Sequence, residues 1–125
     1  MTQRVLDVGN CVPDHAAIRR LIEGHFAATV VQAHHASDAL AILASSAIDL
    51  VLVNRKLDAD YSDGLRVIEQ IKQLPQFSQI PVMLVTNYED QQQLAVQAGA
   101  EPGFGKLSLS APETIQSLAR FLSTK

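Results

Sequence analysis

The stretch Asp49-Leu50-Val51-Leu52-Val53-Asn54 decides the fold. Its four central residues are all apolar, which is typical of a strand that is buried on both faces of a parallel sheet. Such a strand would deliver Asn54 to its carboxyl end, and open parallel sheets bind their ligands at that edge. We therefore expect a parallel sheet whose functional edge carries Asn54.

Short apolar runs and helix-period segments alternate on both sides of this strand, as in repeated βα units. The predicted strands are residues 4–8, 28–33, 50–54, 81–86 and, with a weaker pattern, 103–106. The predicted helices are residues 14–23, 37–44, 65–74, 89–98 and 111–122, the last one with a capping box of Ser110 and Glu113. Five units predict an α/β fold with one doubly wound, five-stranded parallel sheet in the order 2-1-3-4-5.

Length and composition limit the class of protein. The 125 residues are 47% hydrophobic, which predicts a single domain over residues 1–125 with no output domain. The 13 acidic and 10 basic residues are interspersed, so no basic stripe is available for nucleic acid or an anionic membrane. Cys11 is the only cysteine, and no apolar run reaches the ~20 residues of a membrane span. We expect a cytoplasmic protein that binds neither nucleic acid nor membrane.

Five features carry a family resemblance: the strand 49–54, Gly64-Leu65 at the start of the third helix, the strand 81–86 with a terminal hydroxyl on Thr86, the turn Ala98-Gly99-Ala100, and Lys106. In this order and spacing they resemble the response-regulator receiver (CheY-like) domain of two-component signalling. The resemblance covers nearly the whole chain. It implies a flavodoxin-like, CheY-like (βα)5 fold and a role in phosphorelay signalling.

The same resemblance implies carboxylates that hold Mg²⁺ and an aspartate that accepts a phosphoryl group, and this sequence lacks both. Gly9 and Asn10 occupy the positions of the acidic pair, and Asn54 occupies the acceptor position. Mg²⁺ requires anionic oxygen ligands, and an amide lacks the negative charge of a carboxylate nucleophile. We therefore expect a pseudo-receiver with no enzymatic activity, no cofactor and no Mg²⁺, which acts as a phosphorylation-independent protein-interaction module.

The anion-binding side of the family's site is retained as Thr86 and Lys106. Without carboxylates these groups lack their usual partners, so the pocket is predicted to be neutral to positive. Two interpretations stay open: a pocket that holds an anion, or structural residues hydrogen-bonded to Asn54 and nearby carbonyl groups. Leu107 follows Lys106 where the family has a cis-proline, so a trans peptide bond is expected.

Two other functions are weighed from the residues. Asp58 or Asp60, in the loop after the third strand, could serve as a non-standard phosphate acceptor. More remotely, Cys11 follows the first strand as in thiol phosphatases, but Ala17 stands where a Cys-x5-Arg loop requires arginine.

Several further polar residues invite a structural explanation. Asp7 lies in the middle of a predicted buried strand, where we expect a structural hydrogen bond or ion pair rather than a displaced acid of the metal site. The four histidines are expected to be exposed residues of βα loops. No metal site is predicted from them, because neither Cys11 with His15 nor His34 with His35 supplies enough ligands.

The resemblance places partner docking on the face of helix four, strand five and helix five, here residues 89–98, 103–106 and 113–125. Its surface residues are polar and mostly uncharged: Tyr88, Gln91, Gln92, Gln93, Gln97, Glu101 and Arg120. Such a surface suits transient contacts. We expect signalling proteins as partners and a monomer or weak homodimer.

Overall fold

A computed structural model of the protein describes residues 2–125. The elements in chain order are β1 (Gln3–Val8), α1 (Val12–His25), β2 (Ala28–Ala33), α2 (Ala36–Ser45), β3 (Leu50–Asn54), α3 (Gly64–Gln73), β4 (Val82–Val85), α4 (Glu89–Gln97), β5 (Glu101–Phe104), a 3-10 turn η1 (Lys106–Ser108) and α5 (Pro112–Ala119). The five strands form one sheet in the order β2-β1-β3-β4-β5, and every pair is parallel. The predicted α/β fold class and strand order are confirmed.

The core lies in two layers, one on each face of the sheet. Along β3, Leu50 and Leu52 belong to one cluster of buried side chains, whereas Val51 and Val53 belong to the other. All four are fully buried. Their alternation between two apolar layers explains the uninterrupted apolar run, because a central parallel strand has no face in contact with water.

The last residues of the chain pack against the amino edge of the sheet. The Gln3 side chain donates to the Phe121 carbonyl at 2.9 Å and accepts from the Ser123 amide at 2.7 Å. Ala27 donates to the Ser123 carbonyl at 2.9 Å. A single antiparallel bridge joins Phe26 to Thr124. The segment after α5 is therefore held beside the start of β1.

The predicted bounds of the last two elements are wrong. The fifth strand is Glu101–Phe104 rather than 103–106, and Lys106 lies in η1, beyond the sheet. Pro102 and Gly103 obscured the strand, because proline and glycine have low β-propensity. The helix α5 spans only Pro112–Ala119, and the predicted capping box does not form, since its N-cap is Ala111 without a side-chain cap. Proline opens the helix instead, and its missing N–H needs no cap.

The other elements agree with the prediction to within two residues. The structure adds an N-cap that the sequence did not suggest, in which His35 and Asp38 form a capping box at the start of α2. Within residues 2–125, no helix is long and apolar enough to span a membrane.

Candidate functional site

A pocket of about 210 Å³ opens at the carboxyl edge of the sheet, between the ends of β3 and β4. Its lining consists of Asn54, Arg55, Lys56, Val85, Thr86, Asn87, Tyr88 and Lys106. Three of the expected site residues meet there: Asn54, Thr86 and Lys106. The lining offers hydroxyl, amide and cationic groups, and no carboxylate belongs to it.

The amide of Asn54 is engaged with the backbone. Its nitrogen donates to the Lys56 carbonyl at 2.7 Å and to the Gly9 carbonyl at 3.2 Å. These bonds tie the end of β3 to the β1–α1 loop. An aspartate could not make either contact, because a carboxylate has no N–H to donate.

Gly9 directly follows β1 and adopts a left-handed conformation with φ of +80°. A Cβ atom on this residue would collide with the side chain of Leu57, which is fully buried, and would also press against the Leu57 backbone. Both the backbone conformation and the space therefore require glycine. A side chain at the first expected position of the acidic pair would therefore require Leu57 and the backbone of Gly9 to move.

Asn10, at the second expected position, is fully buried and lies outside the pocket lining. Its Nδ2 donates to Asp7 Oδ1, and its own Oδ1 has no protein partner. The amide therefore supports a buried carboxylate instead of facing the pocket.

Asp7 is fully buried in the middle of β1 and is hydrogen-bonded, as expected. Besides Asn10, its partner is His15 of α1, with 2.7 Å between Asp7 Oδ2 and His15 Nδ1. Burial raises the pKa of the Asp7 carboxyl above its ordinary value, since a charge is poorly solvated there, although both hydrogen bonds oppose this effect. The expectation that all histidines are exposed is wrong for His15, whose side chain is only 14% exposed.

Lys106 pairs with a carboxylate outside the expected site, a contact that the sequence did not suggest. Its Nζ lies 2.7 Å from Asp14 Oδ2 in the first turn of α1, and the hydrogen bond from Lys106 lowers the pKa of Asp14. Among residues 2–125, neither Lys106 nor Thr86 is hydrogen-bonded to Asn54, which contradicts that contact of the structural interpretation. The peptide bond to Leu107 is trans, as predicted.

Thr86 uses its hydroxyl oxygen to accept a hydrogen bond from the Tyr88 amide at 3.2 Å. The guanidinium of Arg55 stacks over the Tyr88 ring at 5.4 Å. Among residues 2–125, no carboxylate lies within ion-pair distance of Arg55 or Lys56. The mouth of the pocket is therefore positively charged.

The family is shown by comparison with known proteins. Residues 11–108 match the response regulator receiver domain. The chain belongs to this family. No curated protein matches the sequence.

Three solved structures illustrate the fold of this receiver domain. The Vibrio cholerae chemotaxis protein CheY4, crystallized at low pH, has a TM-score of 0.76 and 18% identity, with 98% of this chain and 100% of CheY4 covered. The receiver domain of Francisella response regulator 1452 has a TM-score of 0.76 and 15% identity, covering 94% of this chain and 95% of that one. NtrX from Brucella abortus has a TM-score of 0.72 and 21% identity. The matched region covers 96% of this chain but only 29% of NtrX.

The acidic loop after β3 of the receiver lies beside the pocket rather than in its lining. The backbone amide of Asp58 donates to the Gly9 carbonyl at 2.9 Å, and its Oδ2 lies 3.4 Å from His34 Nδ1. Asp60 instead accepts from the backbone and hydroxyl groups of Ser62. Each of these carboxylates therefore has a local partner.

Gln92 of α4 was predicted to be a surface residue, but its half-buried side chain is hydrogen-bonded to the sheet. Its Nε2 donates to the Leu84 carbonyl at 2.9 Å and to the Thr86 carbonyl at 3.2 Å, and its Oε1 accepts from the Gly103 amide at 2.9 Å. The side chain bridges α4, β4 and β5 where the β4–β5 register is irregular. Only Ala95 of α4 is buried, so this polar contact contributes much of the helix's attachment.

Cys11 is exposed at the N-cap of α1. Its Sγ lies 3.2 Å from Asp14 Oδ2, to which it donates. A thiol that serves as a nucleophile usually lies beside a cation or a base. The neighbour of Cys11 is a carboxylate that is already occupied by Lys106.

Proposed function

We propose that this receiver domain is a pseudo-receiver, a protein-interaction module of two-component signalling that acts without phosphorylation and without enzymatic activity. The observation that carries the proposal is the lining of the pocket, in which Asn54 stands at the acceptor position among groups that include no carboxylate. A neutral amide whose nitrogen is already bonded to two carbonyl groups has no nucleophilic oxygen anion to offer.

The donor set of the pocket does not suit Mg²⁺. This cation takes oxygen ligands and is usually held through one or two carboxylates. Arg55, Lys56 and Lys106 would repel it, and Gly9 leaves no room for an acid at the end of β1. We therefore derive no chemical step through a metal ion.

The ion pair of Lys106 and Asp14 supports the proposal, because it holds the loop after β5 in place without a phosphoryl group. Because the lysine already has an anionic partner, the loop after β5 is held against α1 by an internal ion pair. A module of this kind would bind its signalling partners constitutively, and we assign that binding to the face of α4, β5 and α5.

The proposal is tested by incubating the protein with an acyl phosphate and Mg²⁺ and measuring the intact mass. We expect the mass to stay unchanged, and we expect amide NMR signals of Asn54, Thr86 and Lys106 to stay in place when Mg²⁺ and beryllofluoride are added. A receiver domain with an acceptor aspartate, treated in parallel, controls for the activity of the reagents.

A stable gain of one phosphoryl group would overturn the proposal. Peptide mapping would then distinguish the alternatives, because an adduct on Asp58 or Asp60 identifies a non-standard acceptor. An adduct that disappears in Cys11→Ser would instead point to thiol chemistry.

A further inference from the structure

The elements α4, β5 and α5 carry a net negative charge, although most surface residues of this face are uncharged. They contain four acidic residues, Glu89, Asp90, Glu101 and Glu113, and one basic residue, Arg120 at the end of α5. Over α4, β5 and α5 with its C-cap, four acids and one base give a formal charge of −3. The two nearby lysines point elsewhere, since Lys106 pairs with Asp14 and Lys125 donates to the Glu23 carbonyl.

Three of these acids have no cation to neutralise them. Glu101 pairs with Arg120 at 3.2 Å, but among residues 2–125 no basic side chain lies within ion-pair distance of Glu89, Asp90 or Glu113. All three are exposed. They therefore produce an uncompensated negative potential along this face.

The same face is grooved, and two of the acids, Glu89 and Glu113, border the grooves. A depression of about 340 Å³ between α4 and β5 is lined by Glu89, Gln92, Gln93, Val96, Gln97 and Pro102. Two adjoining depressions of about 290 and 280 Å³ continue over Gly103, Phe104 and Gly105 towards Glu113. The two depressions share Gly103, Phe104 and Gly105 in their linings, so the grooved surface continues from α4 to α5.

The grooves also present apolar surface. Val96 is 44% exposed in the first depression and Leu107 is 87% exposed beside the second. Gln92 holds this surface in one geometry through its bonds to β4 and β5. A partner therefore meets a preformed channel that runs between carboxylates and exposes the apolar side chains of Val96 and Leu107.

We infer that this channel binds a basic segment of a different protein, with lysine or arginine side chains reaching Glu89 and Glu113 and apolar side chains reaching Val96 and Leu107. The inference rests on the proposed function and adds the chemistry of the partner. A second copy of the chain is the poorer occupant, because a two-fold interface would place this acidic face against itself.

The test uses two synthetic helical peptides, one with lysine on one face and leucine on the other, and a twin in which every lysine is glutamate. Amide NMR spectra are recorded without Mg²⁺ or phosphodonor. We expect the lysine peptide to shift the signals of Gln93, Val96 and Gly103, and the glutamate twin to shift none of them. The shifts should weaken as salt is added, because exposed charges are screened.

The variant Glu89→Gln/Glu113→Gln should weaken binding by about 2- to 5-fold for each carboxylate. Glu69→Gln/Asp60→Asn removes the same charge from other surfaces and should leave binding unchanged. For the apolar contact, Val96→Ser should weaken binding, whereas Val12→Ser, an exposed valine of α1, should not.

Equal losses of binding affinity in the two double variants would overturn the inference, since they would show that the peptide is attracted only by the net charge of the protein. Equal binding of the two peptides, shifts centred on Asn54, or self-association through this face in sedimentation experiments would also overturn it. The results distinguish failure of this inference from failure of the proposed function. If the lysine peptide binds only after treatment with acyl phosphate, the proposed phosphorylation-independent function is wrong. If the protein keeps its mass and does not bind the peptide, only the inference about the channel is wrong.

Discussion

Lys106 and Asp14 join the loop after β5 to the first turn of α1, with 2.7 Å between Nζ and Oδ2. The ammonium group thus binds a carboxylate of the first helix and not the residue at the acceptor position. Two segments that are distant in sequence are fixed together at the carboxyl edge of the sheet.

The strength of this ion pair can be measured with a double-mutant cycle of Asp14→Asn and Lys106→Met. Both side chains are about one-third exposed, at 37% and 30%, so we expect a coupling below about 1 kcal/mol that decreases with salt. Urea unfolding of the four proteins gives the value. Because the pKa of Asp14 is lowered in the folded state, its carboxylate stabilises the fold at pH values above 3.8, the ordinary pKa of this group. That stabilisation is lost as the pH falls through the folded-state pKa. A cycle that shows no coupling at low salt would contradict the pairing.

The opposite pH dependence is expected for Asp7, because burial raises its pKa. The folded state then holds the proton more tightly than the unfolded chain, so stability falls as the pH rises from about 3.8 through the folded-state pKa. Asp7→Asn removes this titration. As the pH rises through that range, the free energy of unfolding of the mutant should increase relative to that of the wild type, by about 1.4 kcal/mol for each pH unit by which the Asp7 pKa is raised.

Urea unfolding as a function of pH checks the Asp7 prediction, with Glu69→Gln as a control for an exposed carboxylate. Parallel curves for Asp7→Asn and the wild type would show that the buried carboxyl does not titrate as described.

Restoring the acceptor alone should not restore phosphorylation. Asn54→Asp supplies a carboxylate, but the Mg²⁺ that the chemistry needs would still lack ligands from Gly9 and Asn10. The mutant also loses both amide hydrogen bonds to the Gly9 and Lys56 carbonyls. Intact mass after treatment with acyl phosphate and Mg²⁺ should equal that of the untreated mutant. Strong Mg²⁺-dependent modification would show that other groups complete the site.

Gln92 should be the most sensitive polar residue of α4. In Gln92→Leu, the Leu84 and Thr86 carbonyls and the Gly103 amide lose their partner, which should cost about 1–3 kcal/mol. Faster hydrogen exchange at the Gly103 amide would locate the change. Gln93→Leu, on the exposed side of the same helix, is the matched control and should unfold like the wild type. Equal stability of the two mutants would refute the bridging role.

The fold was predictable because its signals are local. The run from Leu50 to Val53 is apolar on both faces of the sheet, and each neighbouring unit repeats the alternation of short strand and amphipathic helix. Where local signals were weak the prediction failed, as at β5, whose proline and glycine contribute little strand propensity. The cap of α5 failed because Pro112 competes with a capping box as a helix start.

The polar contacts of the site could not be predicted in the same way. Asn54 was recognisable from its place at the end of β3, but nothing in the sequence relates Lys106 to Asp14 or Asp7 to His15. Whether such pairs form depends on the register of the strands and on the rotation of each helix about its axis. Both are set by the packing of the complete domain and not by any local stretch of sequence. Gln92 is similar, since a glutamine in a run of three carries no signal of which one turns inward.

The hydrogen bonds of Gln3 with Phe121 and Ser123 hold the first and last residues of the described chain side by side, so a short link between them would close the chain into a ring. A short linker from Lys125 to Thr2 would complete that ring, and the exposed turn at Asp60 could serve as a new opening. Such a circular permutant would keep every strand in its order within the sheet. It would also move the ends of the chain from the amino edge of the sheet to the loop beside the pocket, where a fluorescent label could report on ligands of the pocket.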